Sequence, residues 1–257
     1  MMVQDSYIHK LAAKGARIDG RKLGEFRKVS IDDKTLEKAE GAAIVKLGDT
    51  KVIAGVKLDV GTPFPDKPDE GVLMVSAEFS PISSPDFESG PPSDESIELA
   101  RIVDRGIRES CAIDMKKLCI KANEKVWMVN IDINILDNFG NLIDASAIAS
   151  AAALTRAVFP KYDGEKVDPK EKTKKKLPVT AVPVACTFVK IGDSMVCDPV
   201  LEEEDASSCR LTISTKEDGN VCAIQKGGEG ALTSEEIEKA LDMAVSIGKD
   251  LRKHITA

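Results

Sequence analysis

Three arginines at helical spacing are the residues whose chemistry points most directly to a ligand. In the stretch ELARIVDRGIRES, residues 98–110, Arg101, Arg105 and Arg108 follow one another at intervals of four and three. On a helix this spacing places them on one face, and apolar residues occupy the other. A guanidinium group donates paired hydrogen bonds to phosphate oxygens, so the stripe is typical of a surface that holds a phosphodiester backbone.

The same stretch also allows a plainer interpretation in terms of surface ion pairs. Glu98 can pair with Arg101 or Arg105, and Asp104 can pair with Arg108, all within the helix. Exposed pairs of this kind contribute little to stability. Helical spacing alone therefore leaves both interpretations of the stripe open, a phosphate-binding surface and surface ion pairs.

The composition limits the classes of function that the chain can have. The 257 residues carry a net charge of −7, which argues against a basic nucleic-acid coat but allows a local basic groove. No apolar run is long enough for a membrane span and the N-terminus has no apolar signal core, so we expect a cytoplasmic protein. Two histidines and six cysteines without a CxxC pair predict neither a metal site nor a histidine-based nucleophile, and predict mostly buried free thiols.

The elements that must position the arginine helix can be read from the pattern around it. Apolar runs flank a turn at Gly48-Asp49, which predicts a hairpin over 41–58, and Ser93 is placed to cap the arginine helix. Further segments have a clear pattern: a helix over 5–15, strands over 71–80 and 126–136, a loop over 81–92, and a helix of small residues over 144–159. Residues 161–177 are rich in charge and predict a connector, with a solvated lysine run favoured over an RNA contact.

A short internal repeat predicts two similar units. VKLGDTKV at 45–52 resembles VKIGDSMV at 189–196, and SDESIELA at 93–100 resembles TSEEIEKA at 233–240. The order is the same in both halves: hairpin, strands, capped helix. We therefore expect an α+β fold made of two β-α units packed into one body, with residues 1–160 in the first and 178–257 in the second.

These motifs together resemble the RNase PH family. The resemblance rests on RxDGR at 17–21, GDTKVIAGV at 48–56, the arginine helix, and QKGGEGALTSEEI at 225–237. It implies an RNase PH-like fold whose two units are similar to ribosomal protein S5 domain 2. It also implies a link to the removal of nucleotides from the 3′ end of RNA, with inorganic phosphate as the attacking group.

Within the family, several phrases resemble the catalytically silent RNase PH-like subunit of the archaeal exosome. They are DGRKLGEFR, SGPPSDESIELARIVDR and LDNFGNLIDASAIASAAAL. The likeness implies a six-membered ring, with three copies of this chain and three of a catalytic RNase PH-like subunit. It further implies RNA-binding cap subunits, single-stranded RNA as substrate, and inorganic phosphate, with Mg²⁺ as an open possibility, at the partner's site. By this likeness Arg101 and Arg105 help to hold the RNA end at the shared interface, whereas an RNA role of Arg108 rests on helical spacing alone.

The segment that binds phosphate in active relatives is altered in this chain. Active members carry a Gly-Gly-Thr/Ser-Arg-Thr segment before a small-residue helix, and the matching residues here are GNLIDASA, 140–147. Leu142 takes the hydroxyl position, Ile143 the arginine position, and Asp144 follows. We expect the loss of donors and the added negative charge to disable the phosphate site.

Two further departures from the active members concern carboxylates. Active members have two aspartates six residues apart, but Glu204 is followed at that spacing by Arg210, and Asp205 by Leu211. The acidic run 202–205 is compatible with Mg²⁺, although a solvated turn is favoured, and a supporting role of Glu204 or Asp205 in the partner's site stays open. The loop over 59–71 is acidic where catalytic relatives are basic and aromatic.

The leading hypothesis is thus a subunit that binds RNA and shapes its partner's active site but has no catalytic residues of its own. One alternative is an active phosphorolytic exoribonuclease that uses Asp144, Glu204 or Asp205 in unfamiliar roles. Another is a binding protein unrelated to RNA on the same fold, because fold alone does not fix function.

Overall fold

The computed structural model describes residues 2–33 and 36–256 as two β-sheets with helices between and around them. The helices are α1 (Met2–Ala12), α2 (Asp94–Glu109), α3 (Leu142–Arg156), α4 (Leu201–Asp205) and α5 (Ser234–Thr256). The strands are β1 (Val29–Asp32), β2 (Gly41–Leu47), β3 (Thr50–Gly61), β4 (Val72–Glu78), β5 (Cys119–Lys121), β6 (Lys125–Asp137), β7 (Val158–Tyr162), β8 (Val167–Lys176), β9 (Val184–Ile191), β10 (Ser194–Cys197), β11 (Cys209–Thr215) and β12 (Val221–Gly228). Within those two ranges, no helix combines the length and the apolar character that crossing a membrane requires.

The first sheet has the order β1-β2-β3-β6-β4, with β5 paired to the start of β6. The predicted hairpin forms: β2 and β3 pair antiparallel up to Leu47 and Thr50, and Gly48 adopts φ 58° at the turn. β4 runs parallel to β6, because α2 and the segment after it carry the chain across the sheet between them. This crossover fixes α2 against β4.

The second sheet repeats this plan with antiparallel strands only. Its order is β10-β9-β11-β12, and β9 and β10 form a hairpin around Gly192, as the sequence repeat predicted. At the start of α5, Glu236 N–H donates to Thr233 Oγ1, and the Glu236 carboxylate accepts from Thr233 N–H. These two hydrogen bonds form a capping box. The predicted α+β class with two similar β-α units is confirmed.

The helix of small residues, α3, lies between the two sheets. It packs against β2 and β3 on one side and against β9 on the other. Ala145, Ala149 and Ala152 are completely buried there, which allows close approach of the backbones. Gly41 on β2 shows how close this approach is, since a Cβ at that position would collide with the carbonyl oxygen of Ala153.

The N-terminal helix packs with the second sheet, although the sequence assigned residues 1–160 to the first unit. Ile8 and Ala12 of α1 form a small apolar cluster with Val189, Ile191 and Val196. The residues of α1 therefore belong to the first unit by sequence position but pack against the second sheet. The unit boundaries stay a prediction, and α1 is the element that crosses them.

The segment over 161–177 was expected to be a charged connector, and the structure forms a two-stranded hairpin there. β7 and β8 pair antiparallel from Val158–Lys176 to Tyr162–Val167, with irregular register between. The hairpin is anchored along β7 by Phe159 and Tyr162, whose rings pack against buried Trp127. β8 itself has no apolar alternation, because only Val167 of its residues is even partly buried. For that reason its pattern did not predict a strand.

Candidate functional site

The arginine helix forms as its sequence predicted. Ser93 adopts an extended conformation and its hydroxyl accepts a hydrogen bond from Ser96 N–H, which caps the first turn of α2. Leu99, Val103 and Ile107 are buried against the sheets. The opposite face is thereby turned to solvent, and Arg101, Arg105 and Arg108 are all exposed on it.

Arg101 and Arg105 lie in one shallow groove along the outer face of α2, with Val75 and Glu109 also lining it. Within residues 2–33 and 36–256, neither guanidinium group forms an ion pair or a side-chain hydrogen bond. All donors of both groups are therefore available to a ligand. Two free guanidinium groups one turn apart suit adjacent phosphates of a nucleic acid backbone.

Arg108 differs from the other two because it is already paired. Its Nε and Nη2 donate to the carboxylate of Asp104 at 3.0 and 2.7 Å, and Nη2 also donates to the carbonyl oxygen of Leu73 at 3.2 Å. The intrahelical ion pair that the sequence allowed thus forms at this position. Arg108 lines the same groove, but part of its donor capacity is used within the protein.

The sequence allowed Glu98 to pair with Arg101 or Arg105, but neither pair forms. Glu98 accepts a hydrogen bond from Arg210 Nη2 of β11 at 2.6 Å. This ion pair joins the arginine helix to the second sheet. It also engages Arg210, which lies six residues after Glu204.

The altered phosphate segment borders an open cavity of about 560 Å³ between α2, α3, α4 and the second sheet. Leu142 and Ile143 both line this cavity, at the start of α3. Their side chains offer no hydrogen-bond donor, whereas a bound phosphate needs several. Carboxylates, among them Glu204 and Asp205, line the cavity together with Arg210. The cavity is therefore poorly suited to an anion.

Asp144 was expected to place a negative charge where phosphate would bind, and the structure corrects this. Its carboxylate is completely buried and points away from the cavity, where it accepts hydrogen bonds from Thr187 N–H at 2.9 Å and Thr187 Oγ1 at 2.7 Å. The amide of Asn141 donates to it as well, at 2.8 Å. Burial raises its pKa to about 7. Asp144 thus connects the two units rather than repelling an anion in the cavity.

Glu204 closes the start of α3 from the other side. One of its carboxylate oxygens accepts the backbone N–H of Asn141 at 2.9 Å, and burial raises the pKa of Glu204 to about 7. Asn141 itself adopts a left-handed conformation with φ 54°, which asparagine tolerates better than most residues. Its amide also donates to Asp198 at 2.7 Å. Three carboxyl groups therefore surround Asn141, the N-cap residue of α3.

The acidic run over 202–205 does not act as one group. Glu203 is buried and paired with Arg17, Glu204 binds Asn141, and Asp205 is exposed. Burial raises the pKa of Asp205, and the negative charges of nearby aspartates and of Glu202 add to this effect. In the two described ranges, no three His, Cys, Asp or Glu side chains are grouped so as to hold a metal ion.

The RxDGR motif has a structural role that the sequence did not reveal. Arg17 Nε and Nη2 donate to the Glu203 carboxylate at 2.9 and 2.5 Å, and further bonds reach the carbonyl oxygens of Cys197 and Asp198 at 2.8 Å. Arg21 binds the Asp198 carboxylate at 2.8 Å. The motif thus fastens the N-terminal segment to the second unit. Its partners in the second unit lie 177 to 186 positions further along the chain. Local sequence patterns therefore do not predict these contacts, and the RxDGR motif itself is the only signal in the sequence.

Comparison with known proteins connects this geometry to one family. Residues 25–160 match the model of the 3′ exoribonuclease family, domain 1, and residues 181–247 match that of domain 2. The exosome complex component Rrp42 of Thermoplasma acidophilum is 49% identical over 253 residues, which cover 98% of this chain and 94% of that protein. Its counterpart from Methanocella arvoryzae is 45% identical over 256 residues, with 98% and 95% coverage.

Solved structures show the same likeness in three dimensions. A chain of the Archaeoglobus fulgidus exosome with RNA bound to the active site is 46% identical and superimposes with a TM-score of 0.90, covering 98% of this chain and 97% of that one. A chain of an archaeal exosome core is 43% identical, with a TM-score of 0.87 and coverage of 99% and 97%. Rice Rrp46, at 16% identity and a TM-score of 0.71, shares the fold.

Proposed function

Because the chain belongs to the RNase PH family of 3′ exoribonucleases, we propose that it is a non-catalytic subunit of an archaeal exosome. It helps to bind RNA and to structure the active site of a catalytic partner in phosphate-dependent 3′→5′ RNA degradation. One observation carries the proposal. Arg101 and Arg105 are free for RNA, while the neighbouring cavity has lost its phosphate donors at Leu142 and Ile143. The relatives named as exosome components support the assembly.

In this proposal the chain contributes the RNA grip of a composite site. Arg101 and Arg105 donate to phosphate oxygens near the 3′ end, in a manner that does not depend on the base. Such contacts suit an enzyme that must degrade any sequence. Arg108 has a smaller part, because Asp104 already occupies two of its donors.

The chemistry belongs to the partner. The cavity at Leu142 and Ile143 cannot neutralise an attacking phosphate, and six residues after Glu204 and Asp205 stand Arg210 and Leu211 instead of the second aspartate of active relatives. The catalytic RNase PH-like subunit therefore binds inorganic phosphate, with Mg²⁺ if a metal is needed. The proposal includes a ring of three copies of each subunit, RNA-binding caps, single-stranded RNA as substrate and a cytoplasmic location.

The test is an assay of nucleoside diphosphate release. The purified chain is incubated with single-stranded RNA, magnesium and inorganic phosphate, with and without the catalytic RNase PH-like subunit. We expect no product from the chain alone and product from the mixture above that of the partner alone. Phosphate-dependent product from this chain alone would overturn the proposal, and so would failure to associate with the partner.

A further inference from the structure

The hairpin between the two units carries a concentration of positive charge that the proposed function does not use. Residues 170–176 read KEKTKKK, with five lysines and one glutamate, in a chain whose net charge is −7. They form the second part of β8, in which every residue after Val167 is exposed. Nothing of the apolar core depends on these side chains.

Several charged groups of the hairpin are already engaged. Glu171 pairs across the hairpin with Lys161 at 2.6 Å. Lys172 donates to the carbonyl oxygens of Glu37 and Ala39, which ties β8 to the segment before β2. Lys175 lies over the ring of Phe159, 5.0 Å from its centroid. These contacts hold the strand in place.

Three lysines remain available on the strand that these contacts fix. In the part of the chain that the structure describes, Lys170, Lys174 and Lys176 form no ion pair with a carboxylate. Asp168, two residues before Lys170, accepts the backbone N–H of Lys170 instead of its ammonium group. Positions two apart on a strand are separated by about 6.7 Å, so Lys174 and Lys176 present regularly spaced charges.

We propose that Lys170, Lys174 and Lys176 form a second RNA contact, which binds phosphates of single-stranded RNA on an element separate from the arginine helix. The inference rests on the proposed function, because that function supplies the polyanion. Lysine ammonium groups act as point charges that bind phosphates without reading bases. A strand of such charges retains RNA while allowing it to slide.

The hairpin offers no platform for base stacking. Phe159 is buried, and the hydroxyl of Tyr162 is bonded to the carbonyl oxygen of Gly164 while its ring packs against Trp127. The contact is therefore electrostatic. Its strength must fall steeply with salt and must not depend on the RNA sequence.

The experiment compares two triple variants of the full chain, each assembled with the catalytic RNase PH-like subunit. The first is Lys170→Gln, Lys174→Gln and Lys176→Gln. The second, a control with the same change of net charge, is Lys14→Gln, Lys239→Gln and Lys249→Gln, at exposed positions elsewhere. The affinity for long and short oligouridylates is measured over a range of salt concentrations. Arg101→Gln/Arg105→Gln is included in the same series.

We expect the hairpin variant to bind long RNA more weakly, with a slope of log affinity against log salt that is shallower by about 2, from about 0.7 per phosphate contact on a single strand. Binding of short RNA and the control variant should change little. An equal change in both variants, or no change in either, would overturn the inference. So would a loss of partner binding instead of RNA binding, which would show a protein contact.

Three other results separate the possible causes. If only the arginine variant weakens RNA binding, the result supports the proposed function and contradicts the lysine contact. If even the unaltered assembly does not bind RNA, both fall. Aggregation of the hairpin variant with normal RNA binding by its soluble fraction would show that the lysines only protect an exposed strand edge, which also overturns the inference.

Discussion

Glu98 of α2 and Arg210 of β11 form an ion pair, with 2.6 Å between Oε1 and Nη2, that joins the arginine helix to the second sheet. Glu98 lies three residues before Arg101 on the same helix, close enough for an intrahelical pair. Because Arg210 engages it, Glu98 does not neutralise the face that carries Arg101 and Arg105. An arginine of the second sheet thus leaves Arg101 free.

This relationship predicts an indirect effect of Arg210 on RNA. In Arg210→Gln, Glu98 is released and can pair with Arg101, so we expect RNA affinity of the assembled complex to fall several-fold. The double variant Glu98→Gln/Arg210→Gln should recover most of that affinity, because the carboxylate that Arg210→Gln releases is then absent. Fluorescence anisotropy with single-stranded RNA measures both. A double variant as weak as the single one would contradict this explanation.

The arginine helix itself gives the most direct prediction. Arg101→Glu/Arg105→Glu should lower RNA degradation by the assembled complex at least tenfold, since a charge-assisted hydrogen bond contributes roughly 1.5–3 kcal/mol and the new charges repel phosphate. Nucleoside diphosphate release is the measurement. The control is Lys239→Glu/Lys249→Glu, which changes the net charge equally on α5. Equal losses in the two variants would point to bulk charge rather than to a site.

Arg108 should behave differently from its neighbours. Arg108→Gln removes an exposed intrahelical pair with Asp104, which is worth about 0.2–1 kcal/mol of stability. We expect a small fall in the unfolding midpoint and an RNA effect well below that of Arg101→Gln. Asp104→Asn, which frees Arg108, should leave RNA binding equal or stronger. Should Arg108→Gln weaken RNA binding most, the ranking of the three arginines would be wrong.

The buried pair of Arg17 and Glu203 predicts strong coupling. Removing one partner leaves an uncompensated buried charge, so Arg17→Met and Glu203→Met should each cost about 3–5 kcal/mol of stability. The double variant should lose less than the sum of the two. Urea unfolding of the four proteins gives this coupling energy. Additive losses would mean that the two side chains stabilise the fold independently.

Glu204 predicts a defined pH dependence of stability. Burial raises its pKa to about 7, so between about pH 4.5 and 7 the folded state holds a proton that the unfolded state releases. Stability from this group is therefore present at low pH and is lost as the pH rises towards 7, by roughly 1 kcal/mol per unit. Asp144 acts in the same direction. Glu204→Gln keeps an acceptor for Asn141 N–H and should flatten this decline.

The measurement is urea unfolding of both proteins at several values between pH 5 and 8. We expect the variant to gain stability relative to the unaltered chain as the pH rises. A constant difference across the range would show that Glu204 has the same proton affinity in the folded and unfolded states.

Local sequence patterns predicted much of this architecture. Features that depend on contacts between distant residues were not predicted. Ser93, the Gly48-Asp49 turn and the Thr233–Glu236 box were predictable because each acts within a few residues. The orientation of Asp144 was not, because its partner Thr187 lies on another sheet. The hairpin over 161–177 was missed because an exposed strand has no apolar period. Whether Arg101 and Arg105 are unpaired depends on the partner of Glu98, and that partner, Arg210, lies on the second sheet.

The attachment of the N-terminal segment to the second unit has a consequence for synthesis. Arg17 and α1 leave the ribosome early, but the groups that bind them, from Val189 to Glu203, are made much later. The first sheet has all its strands once Asp137 is made, so it can form while the leading residues have nothing to bind. Arg17 and α1 are translated before the groups that bind them and are thus among the last to reach their native position. A nascent chain stalled before residue 189 should expose that segment to proteases.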